Sequence, residues 1–425
     1  MFLTRLRLRD VRAHVELDLR FTREDGSVRP WTFLLGENGV GKSTVVRALA
    51  LVLAGSDALG ELLGSADAWI RAGADEARIT ADLRTRDGDA REVELVLVRG
   101  ATLRETLERN GTSLARLDAA LAHSTRNYPV FAYGVHRRVN LPSRQTAMGE
   151  WYSHPRANAV ATLFARDATL VPLERWAAEL DYARPGGLEV VRSTLDAFLP
   201  GVLFAGIDRG PPPQLRFMTP DGELPLSDLS DGYQSVAAWC GDLLYRITTT
   251  FGDYKDPLKA RGLLLIDELA LHLHPTWQRR LVRFLSDRLP NMQIVATTHS
   301  PLAVHAAAAG EVAVFARDAS GRVGVTPYAG SPRDLFLHQL LTSPLFGLAA
   351  LDSPVREAQR ARLAELDAQP TRSRREEVEQ ARLREELASM PDYRASDPDA
   401  SDPAERMELL RRAVAALDAR TGDDG

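Results

Sequence analysis

GENGVGKST, residues 36–44, decides how the rest of the chain is read. It satisfies the pattern G-x-x-x-x-G-K-[ST] in full. The apolar run WTFLLG (31–36) before it reads as a strand, and STVVRALALVL (43–53) after it carries the apolar spacing of a helix. Strand, glycine turn and helix are the context in which this pattern cradles phosphate, because glycines let backbone N–H groups crowd around phosphate oxygens. Lys42 is expected to set a compact charge against the β- and γ-phosphates of ATP, and Ser43 to turn its hydroxyl to Mg2+. Asn38, Gly39, Gly41 and Thr44 are the other loop residues expected at the nucleotide. Lysine occurs only at Lys42, Lys255 and Lys259, and the remaining basic charge is arginine. A planar guanidinium fork is a poor replacement for the point charge this position needs.

Three more stretches extend the site. GLLLIDE (262–268) is an unbroken apolar strand, as expected of one buried on both faces. Asp267 at its end is placed to hold Mg2+ through water, and Glu268 to polarise the attacking water; the plainer reading is an acidic pair in a turn. QIVATTHS (293–300) is a second buried strand, whose His299 would reach a γ-phosphate at the carboxyl edge of the sheet. A capping histidine before Pro301 is the plainer reading there. LSDGYQ (229–234) opens a helix running to about residue 250. Ser and Gly at such a start serve equally as a cap or as an anion site.

The totals exclude several classes. The 425 residues allow two or three domains, with 44% hydrophobic and 26% charged residues, ordinary for a globular protein. A net charge of −5 argues against a wholesale electrostatic nucleic-acid binder. No apolar run reaches the length of a membrane span, the N-terminus lacks a signal-peptide core, and the single Cys240 excludes an internal disulfide. A cytoplasmic protein without a membrane partner is the expectation. LTRLRLRDV with HVELDLRF, and ARITADLRT with REVELVLVRG, read as antiparallel strands. Strands separated by helices later in the chain favour a mainly parallel α/β core. QLRFMTPDGELPL reads as a hairpin about Asp221-Gly222, EVAVFARD with RVGVTPY as a closing strand pair, and PTWQRRLVRFLSDRL as a helix opened by Pro275.

Phosphate loop, LSDGYQ, LLLIDE and a strand ending in His follow one another in the order of the ATP-binding cassette superfamily, which the chain resembles. LSDGYQ is similar to the signature usually written LSGGQ and departs from it at Asp231 and Tyr233. The resemblance implies that Ser230 and Gly232 face the γ-phosphate bound by a second copy, so that composite ATP sites hold a homodimer or a higher oligomer. It also implies catalytic roles for Lys42, Glu268 and His299. The opening LTRLRLRDVRAHVELDL is similar to that of RecF, SMC and related ATPases, which implies that Arg12 touches nucleotide. Together with AYGVHRR, IDELALHLHPTWQRRLV and ATTHSPL, residues 1–330 resemble bacterial AAA-family ATPases grouped with predicted virulence ATP-binding proteins. That group has relatives in Septu- and retron-type antiphage systems and among OLD-family nucleases.

The implied fold is α/β: a cassette-type head with a mixed sheet, an antiparallel β lobe, a short helical insertion and a helical tail. The expected divisions are 1–134 for the β lobe and phosphate loop, 135–225 for the insertion, 226–330 for the signature and carboxylate segment, and 331–425 for the helical region. Ser43 and Ser230 stand 187 positions apart without sustained heptads, which excludes an SMC-like arm. DPD at 397–399 lies in a Pro-rich stretch and reads as linker rather than a nuclease metal site. His272 and His274 have metal-ligand spacing but more simply shape the loop after Glu268. The basic run 134–144 suits DNA phosphates, a γ-phosphate or solvent. The leading expectation is an ATP-hydrolysing switch for an effector or nuclease on a separate chain. A RecF-like DNA-binding repair ATPase is the alternative, and a transporter motor is disfavoured because no glutamine loop can be placed.

Overall fold

The computed structural model describes residues 1–85, 88–121, 128–139, 151–183, 186–199, 201–210, 212–252, 254–271, 273–348 and 351–388. His272, the 397–399 triplet, the end of the basic run 134–144, and Met407, Leu410, Val414 and Leu417, whose apolar spacing reads as helical, lie outside the described residues. The chain divides into two compact units, Met1–Gly347 and Leu348–Gly425.

The core of the first unit is a six-stranded sheet built from β1 (Trp31–Gly36), β2 (Val130–Tyr133), β3 (Gly262–Ile266), β4 (Met292–Thr297), β5 (Val312–Arg317) and β6 (Val323–Tyr328). The order is β6-β5-β1-β4-β3-β2, and every pair is parallel except β5 with β6. β4 therefore lies between the strand that feeds the phosphate loop and the strand that ends at Asp267. The apolar runs alternate once folded. Leu264, Ile266, Ile294 and Ala296 face one core together with Trp239, Leu243 and Leu281. Leu263, Leu265 and Val295 face the other with Val45, Leu49, Leu6 and Ile79. Helix α1 (Lys42–Val52) thus covers one face of the sheet, and α2 (Asp231–Thr250) with α3 (Pro275–Arg288) the opposite face. Burial of both faces is what the unbroken apolar strands require.

The expected β lobe is present as four antiparallel strands in the order His14–Arg20, Phe2–Val11, Glu76–Arg84, Ala90–Val98. It is tied to the core through Gln293 on β4, whose amide accepts from Leu3 N (3.0 Å) and donates to Leu3 O (2.9 Å). A 19-residue helix, Leu103–Leu121, guards the lobe's edge strand, a connection the sequence reading leaves unassigned. Its Asn110 accepts from Val96 N (2.7 Å) and donates to Val96 O (2.8 Å), while Ser113 Oγ accepts from Glu94 N (2.7 Å). Polar residues thus occupy the face that apolar periodicity would mark, and they pair backbone groups an open edge leaves free.

The insertion carries helices Leu173–Ala183 and Glu189–Phe198 beside a three-stranded antiparallel sheet, Leu203–Asp208, Gln214–Thr219 and Gly222–Pro225. The hairpin expected at Asp221-Gly222 turns between Thr219 and Gly222. In the second unit, helices Pro354–Ala368 and Arg374–Ala388 pair through Arg362–Glu379 (3.1 Å) and Arg384–Asp367 (2.6 Å) around buried Leu366 and Leu383. Val378, whose spacing marks a helix, faces solvent.

Asp242 anchors α2. Fully buried, its carboxylate accepts from Tyr133 OH (2.7 Å), Arg246 Nε (2.6 Å) and Val171 N (2.8 Å), joining α2 to β2 and to the insertion. Asp242→Ala leaves the Arg246 charge without its partner, so a loss of about 3–5 kcal/mol is expected in urea unfolding. A loss below about 1 kcal/mol would contradict this account of the anchor.

Candidate nucleotide site

The phosphate loop follows β1 directly. Gly39 and Gly41 adopt φ of 80° and 87°, the left-handed region open to glycine. Space around Gly39 is open, whereas a Cβ on Gly41 would stand 2.5 Å from His14 Nε2. That buried imidazole lies 3.2 Å from Gly41 O, and Arg317 donates to Gly39 O (3.1 Å), so lobe and sheet brace the loop from outside. Lys42 closes the loop from inside: Nζ donates to Gly36 O and Glu37 O, both at 2.8 Å. Burial pulls its ammonium below the usual lysine value, against the attraction of Glu268 and Asp267. Asn38 is exposed at the mouth and Thr44 is buried under the first turn of α1.

The ends of three elements meet at Asp267, which is buried. Its Oδ1 accepts from Ser43 Oγ (2.9 Å) and from Thr297 Oγ1 (2.8 Å). Thr297 Oγ1 in turn accepts from Glu268 N (2.8 Å), and Thr297 O from Leu269 N (2.8 Å). Glu268 holds φ of 54°, uncommon for a residue with a side chain. Its Oε1 lies 3.4 Å from His299 Nε2. Burial pushes the Glu268 carboxyl upward, opposed by His299 and reinforced by Asp267. The hydroxyl of Ser43 beside the carboxylate of Asp267 is a pair of hard oxygen donors, the set that suits Mg2+. Lys42, Ser43, Asp267, Glu268 and His299 are therefore brought together.

Three expected residues lie apart from that cluster. Ser230 is the N-cap residue of α2, exposed, and its side chain makes no capping hydrogen bond. Gly232 follows in the first turn, and Gln234 holds the approach by donating to Leu229 O (2.7 Å) and Ser227 O (2.9 Å). Arg12 lies at φ of 49°, with its guanidinium 4.6 Å above the Trp69 ring and Nε donating to Ala68 O (2.9 Å).

Two further residues, Thr297 and Arg137, hold the site together. Thr297 is one hydroxyl in ATTHSP and carries no motif of its own. Arg137 belongs to the basic run read as a phosphate or solvent contact, yet it faces inward. It donates to Gly134 O (3.1 Å), Asp267 O (2.8 Å) and Glu268 O (2.8 Å). His274 caps α3, its Nδ1 accepting from Thr276 N (3.3 Å), in line with a loop-shaping role. Among the described residues no cluster of three His, Cys, Asp or Glu side chains is placed to hold a metal.

Fold and site define a P-loop α/β head with an antiparallel lobe. Residues 190–304 match the family model described as "AAA domain, putative AbiEii toxin, Type IV TA system". The chain is 27% identical over 349 residues to the Septu protein PtuA of Bacillus mycoides (strain KBAB4), covering 82% of this chain and 45% of that protein. It is 34% identical over 120 residues to the Retron Ec83 probable ATPase of Escherichia coli, covering 28% of this chain and 22% of that one. The chain thus spans less than half the length of these relatives. Among solved structures, the SMC head domain from Thermotoga maritima is 16% identical with a TM-score of 0.41, covering 77% of this chain and 99% of that one. The chain is accordingly a P-loop head with sequence relatives among the Septu and retron proteins.

Thr297→Val strands the Glu268 amide and removes a donor from buried Asp267, so a loss of about 1–3 kcal/mol is expected by thermal or urea unfolding. Thr297→Ser keeps both bonds and should lose clearly less. Equal losses in the two variants would show that the methyl group, not the hydroxyl, matters.

Proposed function

We propose that this chain binds ATP with Mg2+, hydrolyses it, and closes on a second copy through shared sites. In this reading it acts as a switch for an effector or nuclease on a separate chain in antiphage defence. The observation that carries the reading is the single hydrogen-bonded cluster joining the phosphate loop to Asp267, Glu268 and His299. Likeness to the Septu and retron proteins supports the biological setting.

Lys42 is assigned to the β- and γ-phosphates, and the loop from Asn38 to Thr44 to the phosphate oxygens through its backbone N–H groups. Ser43 and Asp267 would hold Mg2+, which when bound supplies charge neutralisation on the phosphates. Glu268 accepts the proton of the attacking water; its raised pKa makes it the stronger base. His299 holds that carboxylate and faces the γ-phosphate. Arg12, set on Trp69, is assigned to the nucleotide from the side of the lobe. Ser230 and Gly232 are assigned to the partner's γ-phosphate. Two features support this: the Ser230 hydroxyl is not consumed by its own helix, and α2 lies on the sheet face opposite α1. The division of labour follows segments 1–134, 135–225, 226–330 and 331–425.

Lys42→Ala is expected to abolish ATP binding in a titration, and wild-type affinity would sink the phosphate-loop assignment. Glu268→Gln is expected to keep ATP binding and slow turnover roughly 100-fold or more. A further sign is fixed by the raised Glu268 carboxyl. Protonation disables the base, so kcat should fall on acidification already above the ordinary carboxylate range. An acid limb at or below that range would place the base elsewhere.

A further inference from the structure

Among the described residues Arg137 meets main-chain carbonyls rather than a paired carboxylate, with Asp267 and Glu268 near enough to attract its charge. Its guanidinium spends its donors on three main-chain carbonyls, Gly134 O, Asp267 O and Glu268 O, two of them from the same η nitrogen at 2.8 Å. Its guanidinium carbon stands 5.5 Å from the centre of the ring of Trp239, a fully buried residue of α2. Burial draws its pKa down to about 10, which still leaves it charged near neutrality. A surface arginine is solvated, and a buried one ordinarily pairs with an acid. Here the charge is kept for what a planar fork does well, gripping converging carbonyl oxygens beside an aromatic ring.

The gripped carbonyls belong to a turn that does not hold itself. Glu268 occupies the left-handed region at φ of 54°, a conformation that persists only when its surroundings over-determine it. Thr297 fixes the Glu268 amide from one side and Arg137 fixes the carbonyls on either side of that residue from the other. Trp239 sits two turns into the helix opened by Ser230, and Asp242 on the same helix binds Tyr133, the residue before Gly134. One side chain therefore touches the Asp267–Glu268 turn, the end of β2 and α2.

We propose that Arg137 is a positioning residue that pins the Glu268 carboxylate and ties its turn to the helix headed by Ser230. The proposal deepens the ATPase reading and rests on it for the kinetic part alone. A shift of that helix reaches Glu268 through Arg137.

The test compares wild type, Arg137→Met, Arg137→Lys and Trp239→Leu in the full chain. Two readouts are used: steady-state turnover beside ATP affinity, and amide hydrogen exchange across residues 267–271. Arg137→Met is expected to keep ATP affinity within about twofold and lower kcat roughly 10- to 100-fold, because displacing a reacting group by about 1 Å is enough for such a loss. Its 267–271 amides should exchange faster. Arg137→Lys keeps the charge without the fork and should show both changes more weakly. Trp239→Leu should speed exchange in 267–271 although it touches neither carbonyl. If Arg137→Met fails to fold, Arg137→Lys decides alone. Wild-type turnover together with wild-type exchange in Arg137→Lys or Arg137→Met overturns the proposal. Unchanged 267–271 exchange in Trp239→Leu overturns the tie to the helix. Exchange does not depend on hydrolysis. A wild-type chain that turns over no ATP, beside faster exchange in the variants, would defeat the ATPase reading and leave the positioning role standing.

Discussion

Asp267 Oδ1 accepting at once from Ser43 and Thr297 is the contact on which the site depends. It draws together the first turn of α1, the end of β3 and the end of β4, three segments far apart in sequence. A buried carboxylate is costly unless its lone pairs are met, and the two hydroxyls meet it here. The strand order explains why this is possible: β4 lies between β1 and β3, so Thr297 reaches sideways to Asp267 while the loop after β1 reaches over it. Glu268 and His299 then inherit their positions, each standing one or two residues beyond an anchored strand end.

The same sheet separates two tasks. Its alternating residues bind α1 and the β lobe on one side and α2 with α3 on the other. The phosphate loop is braced by the lobe through His14 and by β5 through Arg317. The helix headed by Ser230 is held instead through its own Asp242 and buried Trp239. In the proposed shared site the exposed Ser230, which caps nothing of its own helix, would face another molecule's phosphate. The proposed shared site would draw on this division, and Arg137 reaches from the Glu268 turn to α2.

Much of this was legible because phosphate chemistry needs particular residues at fixed spacing. Glycines at 39 and 41, Lys42 with Ser43, and acids at the end of an unbroken apolar strand leave few other interpretations. Thr297 was not legible: a threonine in a strand looks the same whether its hydroxyl meets a carboxylate or water. Arg137 was hidden in a basic run, where charge suggests solvent, and only the fold shows carbonyls converging on it. The helix Leu103–Leu121 was missed because Thr106 and Asn110 occupy part of its buried face. The strand Leu203–Asp208 was missed because alternation in LFAGID is weak, with Gly206 in its middle. In each case a tertiary partner, not local pattern, decides the outcome.

The central claim is that each copy holds half of two sites, and a mixture of two broken chains tests it directly. Ser230→Arg blocks the face offered to a partner, and Lys42→Ala empties the chain's own pocket. A heterodimer of the two keeps one site with both contributions intact. The account predicts ATP hydrolysis in the mixture well above the sum of the separate variants, with ATP affinity retained by Ser230→Arg alone. If Ser230→Arg by itself loses ATP binding as severely as Lys42→Ala, the serine serves its own pocket and the account is contradicted.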